Sequence, residues 1–87
     1  MHKAKVLKEY ETGVLFNNGL NFVFGVKTQM VYTNYRGVTE DRVFVPESIW
    51  FGKTEFHPEH QWLLKATVLD RGEPVQRDFA VADFKAN

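Results

Sequence analysis

Side chains alternate with a period of two on both sides of one sharp turn, and no other feature restricts the fold of this chain as strongly. Trp62, Leu64, Ala66 and Val68 fall on one face of an extended segment, while Lys65 and Thr67 fall on the other. Asp70-Arg71-Gly72-Glu73-Pro74 then breaks the alternation as a turn, glycine supplying unusual φ and proline fixing its own. The returning segment, Val75 to Val81, places Val75, Arg77, Phe79 and Val81 together. Two antiparallel strands are predicted, with an arginine on an otherwise apolar face. Removing the partner of a buried guanidinium costs about 3–5 kcal/mol. Arg77 is therefore expected to hold a partner: a carboxylate, carbonyl groups or a bound anion.

Trp62-Leu63-Leu64, a short hairpin and Arg77-Asp78-Phe79 together resemble the WYL domain family, with Leu63 where the family name has tyrosine. The likeness runs from Thr28 to Phe84 through Tyr32, Gly37, Arg42, Pro46 and the segment Ile49 to Trp62. The loop Gly52-Lys53-Thr54-Glu55-Phe56-His57-Pro58-Glu59 is similar to that of short stand-alone members from bacteria, prophages and phages. The resemblance implies a five-stranded barrel similar to SH3 and Sm domains. It also implies a ligand-responsive regulator whose basic residues contact nucleotides or nucleic acid. Leu63 removes any hydroxyl that the family tyrosine would contribute.

With 87 residues the chain has room for one domain and a modest core. Apolar residues at 44% and aromatics at 15% offer enough surface to offset chain entropy, which argues against disorder. Eleven basic and eleven acidic side chains cancel. The global positive field of a duplex-DNA binder is missing, so any nucleic-acid contact must come from a local patch. There is no cysteine, hence no disulfide framework or thiolate metal site. Met1-His2-Lys3-Ala4-Lys5 lacks the apolar run of a signal peptide, and no stretch is long enough to span a bilayer. A cytoplasmic location is expected, with no membrane contact.

Residues His2 to Thr12 fit either a helix, with Ala4, Leu7 and Tyr10 near one face and Gly13 as its stop, or a strand with Ala4, Val6 and Tyr10 alternating. Val14-Leu15-Phe16, Asn17-Asn18-Gly19 and Leu20 to Phe24 predict a hairpin. Residues 1–27 are thus expected as an extension packed on a barrel formed by 28–87. Thr28 to Tyr35 predicts a strand, Asn34-Tyr35-Arg36-Gly37 a turn, and Thr39 to Val45 a return that puts Arg42 beside Phe44. Pro46 lacks a ladder donor and predicts a strand end or an edge. Ile49-Trp50-Phe51 predicts a short strand, Lys53 to Gln61 a loop, and Ala82 to Asn87 a single turn with a frayed end. The fold class expected is mainly β.

The ligand-binding candidates are Tyr32, Arg42, Trp62, Arg77 and His57. Arg42 and Arg77 can serve as fixed forks for phosphate or carboxylate. Alternatively they are internal ion-pair partners of Glu40, Asp41, Asp70, Asp78 or Asp83. Tyr32, Tyr35, Trp50, Phe56 and Trp62 form an aromatic set interleaved with these arginines, as single-stranded nucleic acid binding uses. Core packing competes with that reading, and for Trp62 and Phe79 it is favoured. An exposed Trp50 would mark a contact surface. His57-Pro58-Glu59-His60 has proline between its imidazoles and too few ligands for a metal, so His57 is expected to fix its loop. No nucleophile elbow, phosphate loop or acid–base pair is present, and Ser48 is the only serine. A non-enzymatic module without a cofactor is expected, which recognises a nucleotide or single-stranded nucleic acid. The other reading is a small inhibitor or adaptor that acts on a host protein complex, such as an anti-defence protein.

Overall fold

The computed structural model describes residues 4–86. Seven strands form two antiparallel sheets. The first holds β1 (Val6–Tyr10), β2 (Gly13–Phe16) and β3 (Asn21–Val23) in the order β1-β2-β3. The second holds β4 (Thr28–Thr33), β5 (Thr39–Gly52), β6 (Gln61–Val68) and β7 (Val75–Ala80) in the order β4-β5-β6-β7. A 3-10 turn, Val81–Asp83, ends the regular structure.

The N-terminal alternatives resolve as strand, because Val6–Tyr10 pairs antiparallel with β2 after a bulge near Leu7. His2 and Lys3 lie outside the described residues. Gly13 is not a helix stop. It opens β2, and a Cβ there would sit 2.2 Å from the Phe22 carbonyl oxygen, so only glycine permits the close β2–β3 approach. The Asn17-Asn18-Gly19 hairpin forms as expected between β2 and β3.

Phe16 and Phe22 of the first sheet and Phe44, Leu64, Ala66, Val68 and Phe79 of the second bury into one core. Phe16 meets Phe22 edge-on at 6.1 Å, and Phe22 meets Phe84 at 5.2 Å. The packing of ring edges against ring faces suits the aromatic quadrupole. Residues 4–27 therefore supply one wall of the core shared by both sheets.

The barrel is corrected. The sheets have three and four strands and do not close. The four-stranded sheet curls until its two edges meet: Tyr32 of β4 lies 4.9 Å from Phe79 of β7, and its hydroxyl accepts the Ala80 N–H at 3.0 Å. Strand pairing does not finish the circle, because the C-terminal segment has taken the edge of β4. Tyr32 bridges to Phe84, and Lys85 N–H donates to the Val31 carbonyl at 2.9 Å. Phe84 is buried against Tyr32, Phe44 and Phe79, so the expected single turn is present but Phe84 and Lys85 after it are held rather than frayed; Asn87 lies outside the described residues. Aromatic burial outweighs terminal fraying here.

Pro46 does not end a strand. β5 runs through it for 14 residues, and the short strand at Ile49-Trp50-Phe51 is its second half. The β4 ladder stops at Thr28 opposite Phe44, and the Pro46 carbonyl accepts instead from Gly25 N–H at 2.8 Å. N–H and C=O of one strand residue point the same way, so the missing donor faces the side that β4 has vacated. A bulge between Pro46 and Ser48 bends the strand at this point.

Candidate functional site

A concavity of about 600 Å³ opens along the seam where β4 and β7 approach without pairing. Tyr32, Arg42, Arg77 and Phe79 come from the strands, Tyr35, Arg36 and Val38 from the β4–β5 hairpin, and Phe56 and His57 from the loop before β6. Four of the five candidates read from the sequence, Tyr32, Arg42, Arg77 and His57, therefore line one cavity. Trp62 does not. It lies half-buried outside that lining, edge-on to Phe16 at 6.4 Å and to Phe51 at 5.5 Å.

The two arginines differ. Arg42 is 9% exposed and grips Asp70 with both prongs, Nε to Oδ2 at 3.1 Å and Nη2 to Oδ1 at 3.2 Å. Asp70 Oδ2 also accepts the Val43 N–H at 2.9 Å, and Arg42 stands 5.5 Å from the Phe79 ring centre. Burial pushes the Asp70 carboxyl up. The Arg42 and Val43 hydrogen bonds, with the Arg42 and Arg71 charges, overcome this and hold it below its ordinary value. Arg42 is thus a structural ion-pair partner, as one of the two sequence readings had it.

Arg77 overturns the expectation of a buried, paired guanidinium. It is exposed, and its Nη1 donates to the carbonyl of its neighbour Gln76 at 3.0 Å. The face on which it sits is apolar, but β7 is an edge strand. With no strand beyond it, the side chain leaves the core face sideways into the seam. Among the described residues neither Arg77 nor Arg36 makes an ion pair. Arg71 differs again: Glu40 and Asp70 both engage it.

Two short loops hold the aromatic part of the site. Asn34 closes the β4–β5 hairpin, its Oδ1 accepting the N–H groups of Arg36 at 2.9 Å and Val38 at 3.0 Å. Gly37 adopts φ 82°, a region costly for residues with a Cβ, and donates its N–H to the Asn34 carbonyl at 2.9 Å. Opposite, Thr54 Oγ1 accepts the N–H groups of Phe56 at 3.2 Å and His57 at 3.0 Å, while the Thr54 N–H donates to the His57 carbonyl at 2.9 Å. His57 thus belongs to a fixed turn. The two loop tips meet as Tyr35 and Phe56, ring centres 4.9 Å apart, and each ring remains more than half exposed. The Arg36 guanidinium lies 5.5 Å from the Tyr35 ring centre.

Tyr32 sits at the floor. Burial raises its hydroxyl pKa to about 12, against the lowering effect of the Ala80 hydrogen bond. It stays protonated and acts as a strut between the sheet edges. Trp50 is half-buried rather than a projecting contact, and its Nε1 donates to Asp78 Oδ1 at 2.9 Å. Phe51 is the exposed ring of that segment. Among the described residues no group of three or more His, Asp or Glu side chains could hold a metal ion.

Sequence reasoning singled out Tyr35 and Phe56 only within a larger aromatic set, and it passed over Arg36. Their signal was positional: Asn34-Tyr35-Arg36-Gly37 is a turn whose two central side chains have nowhere to go but outward. No protein-family model, curated protein or solved structure matches the chain. No described helix is long and apolar enough to cross a membrane.

Proposed function

We propose that the protein is a WYL-like, non-enzymatic binding module that recognises a nucleotide or single-stranded nucleic acid in the seam between β4 and β7. One observation carries the reading: two arginines that make no ion pair among the described residues, Arg36 and Arg77, share a cavity with two exposed aromatic rings in tilted contact. An exposed guanidinium offers a planar fork to a phosphate without first breaking an internal ion pair. Exposed rings offer stacking, at about 1–3 kcal/mol per base. Arg42 supports the cavity wall and takes no direct part. The chain's zero formal charge is compatible with this, because the positive potential needed is local.

The second reading, a surface that blocks or adapts a host protein complex, would place its exposed aromatics on the β2–β3 hairpin. Phe16 and Phe22 of that hairpin are buried instead, and two exposed rings, Tyr35 and Phe56, line the cavity with the arginines. That distribution favours the nucleotide reading. The test is a thermal-shift scan of the purified protein against nucleotides and short single-stranded DNA and RNA. Stabilisation that fades with added salt is expected. No shift with any member of the panel would overturn the reading and put the protein-complex alternative first.

A further inference from the structure

The Tyr35–Phe56 pair is shared by two concavities. Next to the first is a second of about 320 Å³, and Tyr35, Phe56 and His57 line both. The two sides differ in chemistry. The first presents four arginines, Arg36, Arg42, Arg71 and Arg77, against two carboxylates, Glu40 and Asp78, and keeps a positive balance. In the second, Gln61, Glu59 and Asp83 join the rings in the lining, and among the described residues no lysine or arginine contributes. A phosphate is attracted to the first side and repelled from the second. A nucleobase, neutral and flat, suits the second: it can lie against the rings and offer hydrogen-bond donors to a carboxylate.

Asp83 narrows the choice of base. It stands on the 3-10 turn after β7, and Phe84 N–H bonded to Val81 C=O at 3.3 Å helps to fix that turn. An ionised carboxylate has two oxygens that only accept. Among the common bases, guanine alone presents two adjacent donors, N1–H and the N2 amino group, on one edge. Adenine and cytosine each put an acceptor beside their amino group, and uracil and thymine flank one N–H with two carbonyl oxygens that a carboxylate repels.

Building on the binding reading above, we infer that the second concavity is a base-recognition subsite for guanine, with the phosphate of the same ligand on the Arg36 and Arg77 side. The ligand therefore has a fixed direction, phosphate towards β7 and base towards the 3-10 turn. Asp83 selects the base, Tyr35 and Phe56 supply the stacking surface, and the arginines supply affinity that every nucleotide shares.

The experiment is a calorimetric titration of the full chain with GMP, IMP, AMP, CMP, UMP and inorganic phosphate. IMP is guanine's closest test, since it keeps N1–H and lacks only the 2-amino group. GMP should bind about tenfold more tightly than IMP and more tightly still than UMP, the size expected for one lost hydrogen bond to a charged group. In Asp83→Asn, whose amide cannot accept two donors with one edge, the GMP preference should vanish while UMP, relieved of the repulsive carboxylate, binds no more weakly than before. Equal binding of all five nucleotides would overturn the guanine subsite and leave the phosphate site standing. Absence of binding by every ligand would overturn both. The GMP to IMP ratio is read on the unmodified protein, so it holds even if the variant fails to fold.

Discussion

Removal of the Asp70 carboxylate should test how the seam is held open. In Asp70→Ala, Arg42 keeps its charge in a site that leaves it 9% exposed and loses both prongs of its contact, and the Val43 N–H loses its acceptor. Deleting one partner of a buried pair costs about 3–5 kcal/mol. Asp70 retains 19% of its side-chain exposure, which lets water solvate part of what remains, so the lower end, about 3 kcal/mol, is expected. Marginal stability scales as roughly 0.05–0.15 kcal/mol per residue, so this loss removes a large share of the total. Urea unfolding followed by tryptophan fluorescence should show a midpoint displaced downward with an unchanged slope. The pH dependence has a definite sign. The folded carboxyl titrates below its ordinary value, so its contribution is present at neutral pH and is lost as pH falls below the usual carboxylate range. Asp70→Asn should flatten that part of the acid limb. A loss under about 1 kcal/mol in Asp70→Ala would show that the Arg42 pair behaves as a surface salt bridge, and the assignment of Arg42 to structure would fail.

Three further outcomes follow from the same geometry. Tyr32→Phe strips the Ala80 N–H of its buried acceptor and should lower stability by about 1–3 kcal/mol, measurable by the same urea titration. Asn34→Ala removes the acceptor shared by Arg36 and Val38 N–H; ligand binding should weaken more than the melting temperature falls, because the hairpin tip loosens while the core is untouched. Burial pushes the Asp83 carboxyl up despite the opposing His57 charge, so the folded state takes up its proton more readily than the unfolded chain. That contribution favours folding at low pH and is lost as pH rises through the raised value, so Asp83→Asn should melt no lower than the parent at neutral pH.

The extent to which the chain discloses its own structure differs from residue to residue. Period-two faces lead directly to Leu64, Ala66, Val68 and Phe79 in the core, and Asn17-Asn18-Gly19 leads to its hairpin, because each depends on local stereochemistry alone. Pro46 is half legible: the edge it predicts is there, because β4 stops pairing two residues earlier, but the strand continues through it. Phe84 resists such reading, because it is held by rings that lie far away in sequence. Arg77 resists for the same reason. Its alternation with Val75 and Phe79 reads as burial, whereas its exposure is decided by β7 being at the edge of its sheet, a property of strand order. The gathering of Tyr32, Arg42, His57 and Arg77 into one cavity depends on strand order and on where the loop before β6 lies, which local alternation does not carry. The ring pair that completes the site depends on two loops meeting, and nothing in either loop announces the other.

Arg77 is proposed to bind a phosphate and Arg42 to hold the fold, although each is an arginine two residues before a phenylalanine. The direct measurement compares Arg77→Lys and Arg42→Lys, each by thermal melting without ligand and by titration with a short single-stranded oligonucleotide at low and moderate salt. Lysine keeps the charge and loses the two-pronged fork. Arg77→Lys should melt with the parent protein and bind more weakly at both salt concentrations. Arg42→Lys should melt at a lower temperature whether or not ligand is present. Arg77→Lys with parental affinity, or with a melting temperature lowered as far as that of Arg42→Lys, would contradict the account.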